Sequence, residues 1–192
     1  FSVPGYLQKY IVTRPVIGPI LSFGAKKPLV TLMLLVGAFS VYHLPVVMDN
    51  LKMSATLHTI ALAIMFLTAL MAFYPMFNKV EPEEKQMGGL FKLLFIFGIG
   101  AFVTPACALI IFASEPMYAT FTDGEAWLNA MALCVPAGIL DNIAGSGMIS
   151  GPEYFTNMTP LSDQQTGGII MKVLQEIFFG VMLGQIFFKW FN

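Results

Sequence analysis

Residues 91–113 read FKLLFIFGIGAFVTPACALIIFA, and this stretch decides the fold class of the chain. Its one charged residue is Lys92, close to its beginning. A helix rises about 1.5 Å per residue, so the stretch would reach roughly 35 Å as an α-helix. Because a bilayer contains about 30 Å of hydrocarbon, this length and composition predict a transmembrane helix.

Three further stretches share this character, namely residues 28–48, 56–78 and 167–190. Each is mostly apolar and about as long as a membrane-spanning helix must be. The sequence therefore predicts an all-α fold, a polytopic transmembrane helical bundle with about four spanning helices in residues 28–192. Residues 1–27 carry four basic residues among scattered prolines and glycines, so we expect an interfacial segment there.

The composition also indicates a membrane protein. Of the 192 residues, 57% are hydrophobic and only 11% are charged, and the mean hydropathy is +0.75. A soluble domain usually carries about 25% charged residues, so a lipid bilayer is the expected partner of this surface. The formal net charge of −1 provides no basic field for nucleic acid, and we expect no nucleic-acid partner.

The basic residues predict the orientation of the chain. No Lys or Arg lies between Lys92 and Lys172, whereas cytoplasmic loops are enriched in both. We therefore expect residues 114–166 to form an outer loop and both ends of the chain to be cytoplasmic. Within that loop, residues 125–143 are apolar but contain Pro136, Gly138 and Asp141, which favours an interfacial or re-entrant helix over a fifth span.

The two histidines lie near the same predicted membrane face. His43 is near the end of the first predicted span, and His58 is near the start of the second. Two imidazoles at similar depth on adjacent helices are candidate ligands of a metal ion or a haem, since polar groups in a span are costly and frequently functional. The alternative is a hydrogen bond from each ring to a backbone carbonyl.

Two methionines, Met48 and Met53, lie in the connection beside these histidines. Thioether sulfur is a soft ligand, and together with imidazole it suits Cu(I) better than Mg²⁺ or Ca²⁺. Methionine is also a common filler of irregular packing, which is the alternative interpretation of both residues.

Polar residues also mark the last predicted span. Lys172 and Glu176 share one helix face and can form an ion pair, or they can serve in ligand or partner binding. Ahead of them, Ser162 or Asp163 can cap the helix, but a cap does not explain Gln164. The sequence contains no phosphate-binding loop and no recognisable nucleophile–base motif, so we expect no enzymatic activity.

Several of these motifs occur together in one known family. The chain carries Tyr42-His43-Leu44-Pro45, then His58, then Phe73-Tyr74-Pro75, and finally Asp163-Gln164-Gln165-Thr166-Gly167-Gly168-Ile169-Ile170-Met171. This combination resembles the CtaG family, membrane proteins that assist the assembly of caa-type cytochrome c oxidase in bacteria. The version with Lys172 and Glu176 looks closest to Bacillus-like members.

The resemblance implies a multi-pass protein of the bacterial plasma membrane, with cytochrome c oxidase subunits as partners and copper handling as the activity. By this resemblance, His43, His58 and Asp163 are the positions that match the family pattern. The family usually carries a further histidine motif on an earlier helix, so we expect N-terminal helices upstream of Phe1. Residues 120–158 match nothing in the family pattern and are interpreted as an insertion.

The leading hypothesis is therefore an assembly factor that binds or delivers Cu(I) at the extracytoplasmic face. His43 and His58 would be the nitrogen ligands, and Met48 or Met53 would supply a soft sulfur. Asp163 would orient an imidazole through a hydrogen bond.

Two other hypotheses remain. In the first, His43 and His58 are the axial ligands of a b-type haem in a redox subunit. In the second, the protein is a cofactor-free structural subunit of the oxidase that docks through Lys172, Glu176 and the outer loop.

Overall fold

A computed structural model describes residues 4–80, 86–133, 135–145 and 157–191 of the chain. These residues form ten α-helices and no β-strand, which confirms the predicted all-α fold. Residues 146–156 of the predicted outer loop lie outside the described residues, as does Cys134.

The helices differ widely in length, from 4 residues in the shortest to 32 in the longest. In chain order they are α1 Gly5–Val12, α2 Ile17–Lys26, α3 Pro28–Tyr42, α4 Pro45–Lys52, α5 Ala55–Phe77, α6 Gly89–Ile111, α7 Ala119–Thr122, α8 Gly124–Met131, α9 Ala137–Gly145 and α10 Pro160–Phe191.

Three of these helices, α5, α6 and α10, are long and apolar enough to cross a membrane. The first two have 23 residues each, or roughly 35 Å, and α10 has 32 residues. A fourth crossing is formed if α2 and α3, which meet at a bend of 109°, count as one broken span. The chain is thus a polytopic helical membrane protein.

The first predicted span, residues 28–48, is not a single helix. The helix that begins at Pro28 ends at Tyr42, and a second helix, α4, begins at Pro45. A proline disfavours helical backbone at the residue before it. Accordingly Leu44 is extended, with φ −66° and ψ 132°.

The apolar stretch 125–143 is likewise divided, into α8 and α9. The side chain of Asp123 accepts hydrogen bonds from the backbone N–H groups of Glu125 and Ala126 and so caps the start of α8. The helical structure stops before Pro136 and resumes at Ala137 as α9. Pro136 explains the division, since it cannot donate a hydrogen bond to a preceding turn.

The last helix begins earlier than predicted, at Pro160 instead of residue 167. Thr159 precedes it, and the Thr159 hydroxyl accepts a hydrogen bond from the backbone N–H of Ser162 at 3.2 Å. A threonine cap followed by proline at the first helical position is a favoured helix start. The predicted caps, Ser162 and Asp163, therefore lie inside the first turn.

The described residues fall into two compact units. The first unit comprises Phe1–Ala38, Ala63–Phe102 and Glu176–Asn192, and the second comprises Phe39–Leu62 and Val103–Gln175. In the first unit, the core contains Leu32, Ile96 and Ile99, each at most 4% exposed. At Gly24 the backbones of α2 and α5 approach closely, since an added Cβ would clash with the carbonyl oxygen of Met71.

The second unit combines buried apolar side chains with polar contacts. Its core contains Cys107, Ile110, Tyr118 and Trp127. Two polar side chains, Thr120 and Gln164, are also buried there, at 2% and 3% exposure. Most of the residues predicted to carry function lie in this unit.

Candidate functional site

His43 lies directly after the last residue of α3, in the second unit. Its Nδ1 is 2.7 Å from the carbonyl oxygen of Phe39, and its ring packs against the rings of Phe39 and Tyr42 at centroid distances of 4.3 and 5.1 Å. Because a carbonyl only accepts, Nδ1 must carry the hydrogen in this contact. The lone pair of the imidazole is then on Nε2, the nitrogen available to a ligand.

The pKa of His43 favours the form of the ring that can bind a ligand. Burial lowers the pKa of the imidazole from its ordinary value of 6.5, and Lys52 lowers it further, against the opposing effect of the Phe39 carbonyl. Burial penalises the charged form of the ring. The neutral imidazole, which is the form that binds metal, is therefore favoured.

His58 has different surroundings, in the first turns of α5. Its backbone N–H donates to the carbonyl of Ser54 at 2.9 Å, but its Nδ1 is buried and has no hydrogen-bond partner among the described residues. An unpaired buried nitrogen is costly and calls for an explanation, such as a ligand. Across the described part of the chain, no hydrogen bond or ring contact joins His58 to His43.

The two candidate sulfur ligands lie on α4 and at its end. Met48 is half-buried, and Met53, which follows the last residue of α4, is 55% exposed. Within the described ranges, no group of three or more His, Cys, Asp or Glu side chains is arranged to hold a metal ion. A site built from the two histidines and a methionine therefore stays a prediction.

Asp49, which the sequence analysis did not single out, holds the start of α7. Its carboxylate accepts the backbone N–H groups of Ala119 at 3.1 Å and Thr120 at 3.4 Å. Such N–H groups have no partner within their own helix, and a carboxylate is a strong acceptor for them. The Thr120 hydroxyl is buried without a hydrogen-bond partner in the described residues.

Tyr118 lies directly before α7 and contacts the backbone of His43. Its side chain is 2% exposed, and its hydroxyl donates to the backbone carbonyl of His43 at 2.9 Å. Burial, with smaller contributions from Asp49 and Tyr42, raises the pKa of the phenol to about 12. The phenol therefore stays protonated and keeps donating to the residue whose ring is the candidate ligand.

The glutamine pair has a clear structural role. Gln164 accepts the backbone N–H of Met117 through Oε1 at 2.7 Å and donates from Nε2 to the carbonyl of Ile110 at 3.5 Å. Gln165 donates to the carbonyl of Ala113 at 2.9 Å. The last carbonyls of a helix have no intrahelical donor, so the Gln164 amide completes the end of α6, and Gln165 binds the segment that follows it.

The glycine pair that follows behaves asymmetrically. A Cβ at Gly168 would lie 2.9 Å from Cγ2 of Ile110, whereas a Cβ at Gly167 would meet nothing within 4 Å. Gly168 thus allows α10 to approach the end of α6 closely. The motif that begins at Asp163 therefore docks one helix on another, and a contact of Asp163 with an imidazole stays a prediction.

The charged residues of α10 differ in their surroundings. The ammonium of Lys172 donates to the Thr104 hydroxyl at 2.7 Å. One turn along, the Cys107 thiol lies 3.9 Å from Oε1 of Gln175. Polar pairs of this kind join helices inside a membrane. Glu176 is exposed, and its pairing with Lys172 stays a prediction.

Comparison with curated proteins gave no match, and neither did comparison with solved structures. Comparison with protein families gave a match. The sequence profile of the cytochrome c oxidase caa3 assembly factor (Caa3_CtaG) matches residues 6–192, nearly the whole chain. Association with cytochrome c oxidase and a non-catalytic role are what such a family implies. The resemblance seen in the sequence is thereby confirmed, and the chain belongs to the Caa3_CtaG family of caa3 cytochrome c oxidase assembly factors.

Proposed function

We propose that this protein assists assembly of a caa3 cytochrome c oxidase by holding Cu(I) as cargo, with His43 as a ligand. The observation that carries the proposal is the fixed ring of His43. Its Nδ1 is 2.7 Å from the Phe39 carbonyl, so Nε2 presents a lone pair in a constant direction. Metal-binding histidines are commonly oriented in this way by a hydrogen bond from the other nitrogen.

His58 supports the proposal as a second nitrogen donor. Its Nδ1 is buried and unpaired among the described residues, and a bound metal would remove the cost of that unpaired nitrogen. Met48 or Met53 would supply the soft sulfur that favours Cu(I) over hard divalent cations. A site with few ligands suits cargo, because the ion must leave again for the oxidase.

The carbonyl of Phe39 orients the ring of His43, and we propose that Asp163 orients an imidazole of the site through a hydrogen bond. We place the site at the extracytoplasmic face on the basis of the lysine and arginine distribution. In this role the protein acts as a metallochaperone, without catalytic activity of its own.

Copper content of the purified protein tests this proposal. After reconstitution with Cu(I), we expect His43→Ala/His58→Ala to retain at least about ten-fold less copper than the wild type, since loss of a ligand's hydrogen-bond partner alone costs 10–100-fold. The matched control is Val41→Ala/Leu57→Ala, which truncates two exposed side chains close to the histidines in the same unit without removing an imidazole. Equal copper retention by the histidine variant and the wild type would refute the ligand assignment.

The same samples distinguish the other two hypotheses. An absorption spectrum with reduced Soret and α bands on the wild type, lost in the histidine variant, would identify b-type haem instead of copper. Normal oxidase assembly in cells that carry the histidine variant, together with failure of a Glu176→Ala variant, would favour a cofactor-free docking role.

A further inference from the structure

A second polar region lies in the first unit, where α6 begins and α10 ends. It is a cavity of about 730 Å³, within the size range of small-molecule sites. Lys79, Lys92 and Lys189 line it. Among the described residues of its lining there is no Asp or Glu.

Three lysines around one cavity repel each other unless an anion lies between them. The start of α6, at Gly89 and the preceding Gly88, also borders the cavity and adds the positive end of a helix dipole. Lys79 and Lys189 are exposed, and Lys92 is half-buried. The cavity thus concentrates positive charge at the end of two membrane-spanning helices.

Trp190 forms one wall of this cavity. Its indole packs against the start of α6, since a Cβ added at Gly89 would clash with Cδ1 of the ring. Tryptophan is enriched at the level of lipid headgroups. The cavity therefore has the composition of a site at the membrane–water boundary.

An apolar groove lies beside the cavity, between the next turns of the same two helices. Its volume is about 460 Å³, and it is lined by Leu93, Leu94 and Phe97 of α6 and by Leu183, Gly184 and Phe187 of α10. Lys92 and Leu93 are consecutive, as are Ile186 of the cavity and Phe187 of the groove. A cationic cavity that adjoins an apolar groove matches an amphiphile with an anionic head.

We propose that the cavity binds the phosphate of an anionic membrane phospholipid, with an acyl chain of that lipid in the groove. Basic pockets between transmembrane helices on the cytoplasmic side are suited to such headgroups, and that leaflet is rich in anionic lipid. Free inorganic phosphate has the same anionic group as the lipid head, but it has no acyl chain that could occupy the groove. The groove is therefore the feature that separates the two ligands.

Lipid retention by the purified full chain tests the proposal. Protein is reconstituted in nanodiscs of phosphatidylglycerol and phosphatidylcholine, extracted in mild detergent, and analysed for bound lipid by native mass spectrometry. We expect selective retention of phosphatidylglycerol by the wild type and roughly 25-fold weaker retention by Lys92→Gln/Lys189→Gln, because each lysine near the bilayer surface contributes about a factor of five.

The control for charge is Lys26→Gln/Lys27→Gln, which removes the same charge in the same unit but outside the lining of the cavity. The test of the groove is Gly184→Leu, whose side chain would enter open space in the groove, with Gly180→Leu as its matched control on the same helix. We expect Gly184→Leu to lower lipid retention and Gly180→Leu to leave it unchanged.

Inorganic phosphate, followed by tryptophan fluorescence, separates the two ligands. Phosphate that displaces the lipid completely, with no effect of Gly184→Leu on lipid retention, would overturn the lipid assignment in favour of a free anion. Equal retention of both lipids, or retention by Lys92→Gln/Lys189→Gln that matches the wild type, would overturn the site itself.

Discussion

The ends of α5 and α6 both contact glutamine side chains, but in different settings. In the first unit, half-buried Gln8 donates to the carbonyl of Phe77 at 3.3 Å and accepts the N–H of Lys79 at 2.9 Å. In the second unit, Gln164 is 3% exposed and makes the equivalent pair of bonds to Ile110 and Met117. In each case one glutamine amide binds a backbone carbonyl and a backbone N–H group, and we call this pair of bonds a glutamine clamp. The two clamps differ in how far water can reach the amide.

This difference determines how much each clamp contributes to stability. Water can replace the bonds of a half-buried amide when the side chain is removed, whereas a buried N–H or carbonyl left without a partner loses its full hydration. The second unit, which holds the candidate copper ligands, therefore depends more on its polar contacts. The first unit depends more on close packing, as at Gly24 and Met71.

The largest expected effect is that of Gln164→Ala. We expect this change to lower the free energy of unfolding by about 2 kcal/mol, since it leaves the Met117 N–H buried without its acceptor, and Gln8→Ala to lower it by only about 0.5–1 kcal/mol. Loss of helicity on heating in detergent, followed by circular dichroism, measures both. Equal losses of stability in the two variants would show that burial of the glutamine does not determine how much its hydrogen bonds contribute.

A smaller effect is expected at the glycine pair of α10. Gly167→Ala and Gly168→Ala gain the same backbone propensity, so the difference between them isolates packing against Ile110 and Ile111. We expect Gly168→Ala to be about 1 kcal/mol less stable than Gly167→Ala, because its methyl would press on both isoleucines. The same unfolding measurement applies, and a more stable Gly168→Ala would contradict the close approach of α10 to α6.

The last expected effect is confined to alkaline pH and comes from Tyr118. The folded-state pKa of about 12 lies above the ordinary value of 10, so the unfolded chain loses this proton first as the pH rises. The contribution of Tyr118 is therefore complete below pH 10 and is lost between about pH 10 and 12. In Tyr118→Phe, the fall in melting temperature over this range should be shallower than in the wild type, and an identical fall would exclude a shielded phenol.

Hydropathy was sufficient to find the long helices. The stretches 56–78 and 91–113 correspond to α5 at Ala55–Phe77 and α6 at Gly89–Ile111. These helices are apolar on all sides, so their average composition identifies them. Hydropathy failed at Pro45, because averaging over residues 28–48 hides a break that depends on a single proline.

The polar stretch 162–166 hides the start of α10 from a hydropathy average. Both predicted caps lie inside the helix, which starts with the Thr159 cap and Pro160, a local signal that the average does not register. The bonds of Gln164 and Gln165 to backbone groups about 50 positions away could not be read from any local pattern.

The candidate site was only partly predictable. His43 and His58 could be named, since a histidine in an apolar stretch is conspicuous in any sequence. Asp49 and Tyr118 could not, because their importance arises from contacts that are 70 and 75 positions apart in the chain. The position of Asp49 directly after an apolar stretch was the one available signal.

The corner between α2 and α3 has a mechanical consequence. Two helices that meet at 109° cannot both follow the bilayer normal, so when α3 does, α2 rests near the plane of the membrane. Lys26 and Lys27 sit at that corner and favour water or headgroups. A helix held in the plane of the membrane fixes the depth of α3, so the longer spanning helices must adapt to a thicker or thinner bilayer instead.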